Sequence, residues 1–384
     1  MNEETINNVL NALARLLVEN KRQIIEANKL DLKSCPQNDL VIFDRLKVDE
    51  AKVKKMIDSV KKVIASPNPI GKILYQHTRE NGLRIENRTV PFGTILIIYE
   101  ARPDVSIEAA SIALKAGNKI LLKGGKEARN TNFCLVDLWQ KALSENSADI
   151  NFVRYLDISR EETQKLITGE TEKFDLVIPR GGETLIDFVV RNSKVPVIVS
   201  GRGNNFAYVA EDADFEKSLE IVLNGKSRLS VCNALDKVLV DEKLPDLERR
   251  ITQLKNEFEA INIEVSDGKN IDESIWFEEF LSAKIVIAIV KNIGEAIEKI
   301  NKYSGGHSAT IITESSEKAE MFMNEVDSAA VYHNASTRFT DGGEFGLGAE
   351  IAISTQKLHF RGPLGAEHLL TNKWFIYGDG QIRK

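Results

Sequence analysis

Cysteine is scarce in this chain of 384 residues: Cys35, Cys134 and Cys232 stand far apart. An odd number at such spacing makes no disulfide framework and suits a reducing, cytoplasmic setting. Metal-ligand spacing is missing too, because His77, His307, His333, His359 and His368 are isolated, so no metal site is expected. No apolar run approaches the ~20 residues of a membrane span. The opening Met-Asn-Glu-Glu-Thr-Ile lacks the basic-then-apolar order of a signal peptide, so none is expected. Basic residues do not prevail: 51 Lys and Arg stand against 57 Asp and Glu, for a formal charge of −6. That argues against a partner with a nucleic-acid or membrane surface. Two nucleotide fingerprints are absent. Gly201-Arg202-Gly203 has no third glycine for G-x-G-x-x-G, and Gly225-Lys226-Ser227 has Glu220 where a P-loop opens with glycine. No G-x-S-x-G elbow occurs either.

What the chain does have is rhythm. Ile6, Val9, Leu10, Leu13, Leu16 and Leu17 recur at helical spacing, and a second helix is expected over residues 49–64, stopped by Pro67-Asn68-Pro69. Residues 73–80 and 83–90 flank Asn81-Gly82, the dipeptide of a two-residue type I′ turn, so a long hairpin is expected. It carries many charges and no clean apolar face, which predicts that it projects and pairs with another subunit. From Thr94 strands are expected at 95–99, 120–122, 152–156, 175–178 and 195–199. Between them come helices capped by Ser106, over 127–143, after a Ser159/Glu162 capping box, and from Gly181-Gly182. A helix over 214–224 leads to strands at 235–240, 284–290, 309–312 and 329–332, with helices over 293–303 and 314–324. This beat predicts parallel sheets covered on both faces, in two α/β domains whose cleft is the expected ligand site.

Cys232 lies in a helix-to-strand connection close to Lys226 and Arg228. A thiol in an electropositive, partly exposed loop becomes a nucleophile near neutral pH. Taken alone, a lone cysteine is more often a small buried hydrophobe. Lys226 and Arg228 either lower the thiol pKa, neutralise a departing anion, or sit solvated on the surface. Leu122-Lys123-Gly124-Gly125 and Pro179-Arg180-Gly181-Gly182 each leave a strand for a helix, with backbone N–H groups for an anion. Either is an ordinary turn by itself; two in one sheet favour a phosphate-bearing ligand. Residues 334–348 crowd polar side chains and glycines into a long loop, and such loops in compact domains are usually functional. His307 and His333, each beside a strand, are expected in ordinary hydrogen-bonded roles.

Several of these stretches carry a resemblance. Ile98-Tyr99-Glu100-Ala101-Arg102-Pro103, Pro179-Arg180-Gly181-Gly182, Val231-Cys232-Asn233-Ala234 and residues 324–332 and 334–350 are similar to the gamma-glutamyl phosphate reductases, within the aldehyde dehydrogenase superfamily. The likeness runs in order from the hairpin through the tail motifs at 354–359, 361–363 and 378–383. It implies an aldehyde dehydrogenase-like α/β fold of two parallel-sheet domains plus a β-hairpin oligomerisation element. The expected division is an NADP-binding domain over 1–224 with the hairpin inserted at 72–92, a catalytic domain over 225–353, and a tail over 354–384 returning to the nucleotide and oligomerisation part. It implies NADP(H), reduction of L-glutamyl 5-phosphate to L-glutamate 5-semialdehyde in proline biosynthesis, a homo-oligomer, and functional pairing with glutamate 5-kinase.

Residue by residue, the resemblance makes Cys232 the nucleophile. It sets Lys123, with Gly124 and Gly125, near the adenosine ribose and the NADP 2′-phosphate. Pro179, Arg180, Gly181 and Gly182 form the turn at the dinucleotide, and Glu279 holds the nicotinamide ribose. Relatives use an asparagine as oxyanion donor where this chain has Ala101, so the Cys232 N–H and the Asn233 side chain are expected to serve. The substrate carboxylate calls for arginine, which points to Arg102 or Arg338, with Asn334, Ser336 and Thr337 alongside. Asn205-Phe206 stands where the family usually has Cys-His, Leu229-Ser230 is unusual, and the connection from Val240 to Trp276 is short. Val199-Ser200-Gly201-Arg202-Gly203 also lacks the glutamate base with which acid-forming relatives hydrolyse a thioester. Two other readings remain: a relative oxidising an aldehyde to an acid, and a scaffold that keeps only the fold.

Overall fold

The computed structural model describes residues 1–35, 40–358 and 360–383, so His359 of the tail motif lies outside the described residues. The chain divides into two compact units, one of residues 1–199, 346–352 and 364–384, the other of residues 200–345 and 353–363. No helix among the described residues is long and apolar enough to cross a membrane.

In the first unit the stripe from Ile6 to Leu17 forms helix Glu3–Glu19, capped by the Asn2 side chain, and Glu50–Ala65 is capped by Asp49. Strand β1 (Ile73–Thr78) pairs antiparallel with β2 (Arg84–Pro91), and the tail strand Leu370–Tyr377 pairs along the other edge of β2. The hairpin turn differs from the expected type I′. Gly82 N–H bonds the Arg79 carbonyl (2.9 Å), Arg79 N–H bonds that of Leu83 (3.0 Å), and Gly82 but not Asn81 has positive φ. This is a type I turn closed by a glycine bulge.

Strands β3 (Thr94–Tyr99), β4 (Lys119–Gly124), β5 (Val153–Tyr155) and β6 (Leu176–Arg180) make a parallel sheet in the order β5-β4-β3-β6. Leu96, Ile98, Leu121 and Val177 bury one face; Ile95, Ile97, Ile120, Leu122 and Ile178 bury the other beside Trp139. The chain moves from β3 outward to β5, then crosses to β6 on the opposite side. That leaves a topological switch point between β3 and β6, where open α/β sheets bind ligands at the strands' carboxyl ends. Two local expectations fail. Helix Val105–Lys115 begins after Asp104, and Ser106 is buried inside it, its Oγ bonded to Tyr99 Oη (2.7 Å) and Asn132 Oδ1 (2.9 Å). Residues 195–199 form no strand beyond one bridge, Val177 to Val197, because Pro196 has no N–H to extend a ladder.

The second unit has a six-stranded parallel sheet ordered β12-β11-β7-β8-β10-β9. Its strands are β7 (Asn205–Val209), β8 (Leu235–Asp241), β9 (Glu264–Asp267), β10 (Lys284–Val290), β11 (Ser308–Ile312) and β12 (Ala330–His333). Phe206, Tyr208 and Phe322 lie in one core, Val209, Val238 and Phe258 in the other. The boundary between units falls at Val199/Ser200 rather than 224/225, because β7 pairs with both β8 and β11. A five-residue strand opening on asparagine gave the periodicity nothing to register.

Candidate active site

Helix Phe215–Gly225 and β8 are joined by a loop that presents Cys232, half-buried, at the amino ends of β7 and β8. Residues 231–234 form a turn closed by Ala234 N–H on the Val231 carbonyl (3.1 Å). Asn205, the first residue of β7, sets its Nδ2 within 2.7 Å of the Cys232 and Ala234 carbonyls and 2.8 Å of that of Gly203. A Cβ on Gly203 would fall 1.8 Å from the Cys232 carbonyl oxygen, so only glycine permits this approach. From another side, Asn233 Nδ2 donates to the carbonyls of Arg338 (3.1 Å) and Thr340 (3.0 Å), and Thr337 Oγ1 donates to the Asn233 carbonyl (3.0 Å). Residues 203–205, 231–234 and 337–340 thus converge on the thiol-bearing turn.

Arg338 is half-buried, and burial lowers its pKa, as does the charge of Arg228, while Cys232 and Asp341 act the other way. Both arginines are therefore electrostatic neighbours of the Cys232 region. Lys226 is not. It is buried and pairs with Asp236 at 2.7 Å, which removes it as a partner for the thiol or a leaving anion. A register shift opposes Asn205 to Leu235 but Phe206 to Lys237, leaving Asp236 as an extra residue. Asp236 accepts from Phe280 N–H (3.0 Å), and Lys237 Nζ donates to the Glu278 carbonyl (2.5 Å) beneath the Phe280 ring, whose centroid is 3.8 Å away. These two buried charges bracket Glu279, itself half-buried. Burial pushes Lys237 down to about 8 and raises the Asp236 carboxyl.

A buried chain of polar groups supports the 337–340 segment. Thr340 Oγ1 lies 2.7 Å from Ser308 Oγ and from Tyr332 Oη, and His307 Nδ1 lies 2.7 Å from Ser308 Oγ. His307 is fully buried, which pushes its pKa down to about 4 and keeps it neutral. Its role is the hydrogen-bonded one expected, as is that of His333, whose Nε2 lies 3.0 Å from the Thr313 carbonyl. Asn334 does not join the cluster. Its amide bonds Thr313 N–H (3.1 Å) and carbonyl (2.9 Å) past the carboxyl end of β11, roughly 17 Å along the strand from Ser308. Ser336 Oγ accepts from Arg338 N–H (3.3 Å) and shapes the turn.

In the first unit Lys123, Gly124 and Gly125 lie at the carboxyl end of β4. Lys123 Nζ donates to the Gly124 carbonyl (2.7 Å); burial lowers its pKa against the pull of Glu127 and Asp157. A Cβ on Gly125 would meet Glu127 Oε1 at 2.0 Å, and one on Gly124 would meet Asn132 Nδ2 at 2.3 Å. Pro179 and Arg180 end β6, and Gly182 precedes helix Glu183–Asn192. Gly182 N–H donates to Glu100 Oε2 (2.9 Å), across the switch point between β3 and β6. A carboxylate therefore already sits at this helix N-terminus, and the donor there accepts an anion. Half-buried Arg102 follows Ala101, a non-glycine at φ 45° whose N–H is held by Glu127 Oε1 (2.7 Å). Such backbone costs on the order of 1–3 kcal/mol and gathers at functional segments.

No group of three or more possible metal ligands occurs among the described residues. Gly203, Asn205, Asp236 and Glu100 were absent from the expected site. Gly203-Asn204-Asn205 had offered a hint: a glycine and two asparagines just ahead of an apolar run.

The aldehyde dehydrogenase family pattern matches residues 4–272 and 259–348. A gamma-glutamyl phosphate reductase of Dictyoglomus thermophilum is 43% identical, with 100% of this chain and 95% of that protein covered. The crystal structure of a gamma-glutamyl phosphate reductase from Thermotoga maritima superposes with TM-score 0.94 at 38% identity, covering 100% of this chain and 95% of that one. An acetylating aldehyde dehydrogenase from Geobacillus thermoglucosidasius shares the fold alone, at TM-score 0.75 and 18% identity over 100% and 94% of the two chains.

Proposed function

The chain belongs to the aldehyde dehydrogenase family, and on that premise we propose a gamma-glutamyl phosphate reductase whose nucleophile is Cys232. It reduces L-glutamyl 5-phosphate to L-glutamate 5-semialdehyde with release of phosphate, the second step of proline biosynthesis from glutamate. The observation that carries this reading is the likeness to reductases of that name along the whole chain.

The Cys232 thiolate attacks the acyl carbonyl; a C–S bond forms, the C–O bond to phosphate breaks, and phosphate leaves with the electron pair. A thioester remains, so one hard step becomes two easier ones. NADPH, when bound, supplies the hydride that reduces this thioester. The tetrahedral oxyanion then collapses, returning an electron pair to Cys232 sulfur and releasing the aldehyde. The Cys232 N–H is assigned as an oxyanion donor. The Asn233 side chain, with its N–H groups on the Arg338 and Thr340 carbonyls, braces the loop instead. Arg338 and Arg228 put cations beside the anionic substrate; Arg102 is the other candidate for its carboxylate, while Ser336 holds Arg338 in its turn and Thr337 ties that turn to Asn233.

For the cofactor, Lys123 with Gly124 and Gly125 is assigned to the adenosine ribose and its 2′-phosphate, which favours NADP over NAD. Pro179, Arg180, Gly181 and Gly182 take the pyrophosphate, for which Glu100 must release the Gly182 N–H. Glu279 takes the nicotinamide ribose, braced by Asp236 and Lys237. A homo-oligomer accords with the exposed Ile73, Leu74, Tyr75, Trp374 and Ile376 on the hairpin sheet. A cytoplasmic enzyme acting with glutamate 5-kinase completes the proposal, since an acyl phosphate is short-lived in water.

The test is Cys232→Ser, which should lower turnover by at least about 10³-fold while NADPH binding stays intact. Serine at Cys35 and Cys134 should be tolerated, because Cys35 is buried and burial pushes the Cys134 thiol up to about 11. Substantial turnover by Cys232→Ser would sink the covalent mechanism.

A further inference from the structure

We propose that Asn205 is the positioning residue of the nucleophile, a clamp that sets the Cys232 turn by gripping its backbone. The inference rests on the reading of Cys232 as the thiol that attacks the substrate. Asn205 is completely buried, and its Nδ2 reaches three carbonyl oxygens at 2.7–2.8 Å, those of Gly203, Cys232 and Ala234. An amide nitrogen has two hydrogens, so at least one is shared between acceptors. The orientation of the amide is settled by these neighbours: the flipped form would set Oδ1 against three carbonyl oxygens. Oδ1 itself is buried with no hydrogen-bond partner among the described residues, a cost the side chain bears to keep its nitrogen on the turn.

The grip bears on the reacting group directly. The Cys232 carbonyl belongs to the nucleophile's own residue, and Gly203 lies against it with no room for a Cβ. Because the peptide unit is planar and trans, a Cys232 carbonyl held towards Asn205 turns the Asn233 N–H the opposite way. With the Ala234 carbonyl held as well, both ends of residues 232–234 are set, and the thiol hangs from a backbone that cannot swing. A side chain with no donor would take this shared amide away from all three carbonyls at once and loosen the turn. A misplacement of ~1 Å at the reacting atom is enough to cost about 10² in rate.

The experiment uses the full-length enzyme with Asn205→Ala and Asn205→Asp, assayed as phosphate-dependent oxidation of glutamate semialdehyde. NADPH affinity, by quenching of its fluorescence, is followed in parallel. For Asn205→Ala we expect kcat to fall by about 10²-fold with the NADPH dissociation constant within about twofold of wild type. Asn205→Asp adds a signature that a merely structural role would not give. Its carboxylate repels the three carbonyls, whereas its acid form donates one hydrogen bond. The ratio of its kcat to wild type should therefore rise as pH falls, while the Asn205→Ala ratio stays flat. If Asn205→Ala does not fold, Asn205→Ser, which keeps one donor, takes its place and should show a smaller loss of kcat. A folded Asn205→Ala with kcat within threefold of wild type would overturn the clamp. So would a pH-independent Asn205→Asp ratio, or a loss of NADPH affinity as large as that of kcat. Activity surviving in Cys232→Ser sinks the nucleophile reading; a dead Cys232→Ser beside an unimpaired Asn205→Ala sinks this inference alone.

Discussion

His307 has no exposure to water, and among the described residues its ring makes one hydrogen bond, to Ser308 Oγ at 2.7 Å. Burial holds it neutral, down to about 4 against an ordinary 6.5. Below pH 6.5 the unfolded chain takes up a proton that the folded chain refuses, so stability falls with pH and the loss is complete below about 4. The total is about 3 kcal/mol. Urea unfolding from pH 7 to pH 4 should therefore be steeper in wild type than in His307→Asn; parallel curves would place the acid sensitivity elsewhere. The link to function is short, since Ser308 and Thr340 join His307 to the segment that braces Asn233. Lys226 obeys the same electrostatics from the other side. With Asp236 it forms a pair almost sealed from water, and a charge so placed is tolerated only with its partner.

At the scale of elements, the hairpin and tail form one three-stranded sheet with much of its apolar surface outside. Tyr75 and Trp374 are 51% and 53% exposed, their rings edge to face at 5.7 Å over Asn87, which pairs with both strands. Few soluble monomers leave such a patch in water. A second copy of the chain is the proposed cover. Tyr75→Glu with Trp374→Glu should shift sedimentation towards the monomer, leaving circular dichroism unchanged. An unaltered sedimentation coefficient would remove this sheet from the interface. The helix Glu183–Asn192 illustrates a different logic, in which a chain's own carboxylate, Glu100, occupies the start of the helix that the pyrophosphate is proposed to use.

For the molecule as a whole, the question is which acceptor takes the acyl group from the proposed Cys232 thioester. Hydrolysis needs a base, and Ser200-Gly201-Arg202-Gly203 supplies no carboxylate. A side chain on Gly201 would also collide with Thr355, whose Oγ1 is 2.1 Å from a Cβ there. Without a positioned base, water attack loses roughly 10²–10⁴ in rate, whereas phosphate is ionised at neutral pH and needs none. Glutamate semialdehyde with NADP should yield little reduced cofactor until phosphate is added. Steady formation of glutamate without phosphate would mark the chain instead as a dehydrogenase that makes free acids.

Much of this protein was legible along the chain. Apolar runs at strand length, such as Ile95–Ile98, alternating with helical stripes determined two parallel-sheet units, because each run can be satisfied only when buried on both faces. The loop of Cys232 and the turns at Lys123 and Gly182 were also visible, since glycine, lysine and cysteine at strand ends are local signals. Tertiary structure decided what these residues do. Lys226 looked like a partner for the thiol until the register shift in β8 brought Asp236 against it. Asn205 looked like a departure in a motif until folding set Cys232 and Ala234, 27 and 29 residues away in sequence, against its amide. Asn334 and Arg338, neighbours in one loop, were parted to opposite ends of β11 by hydrogen bonds to Thr313 and to Asn233. Periodicity reports which face of an element is apolar. It carries no record of which buried carbonyl will need a donor, because that need arises only when distant segments are packed together and water is excluded.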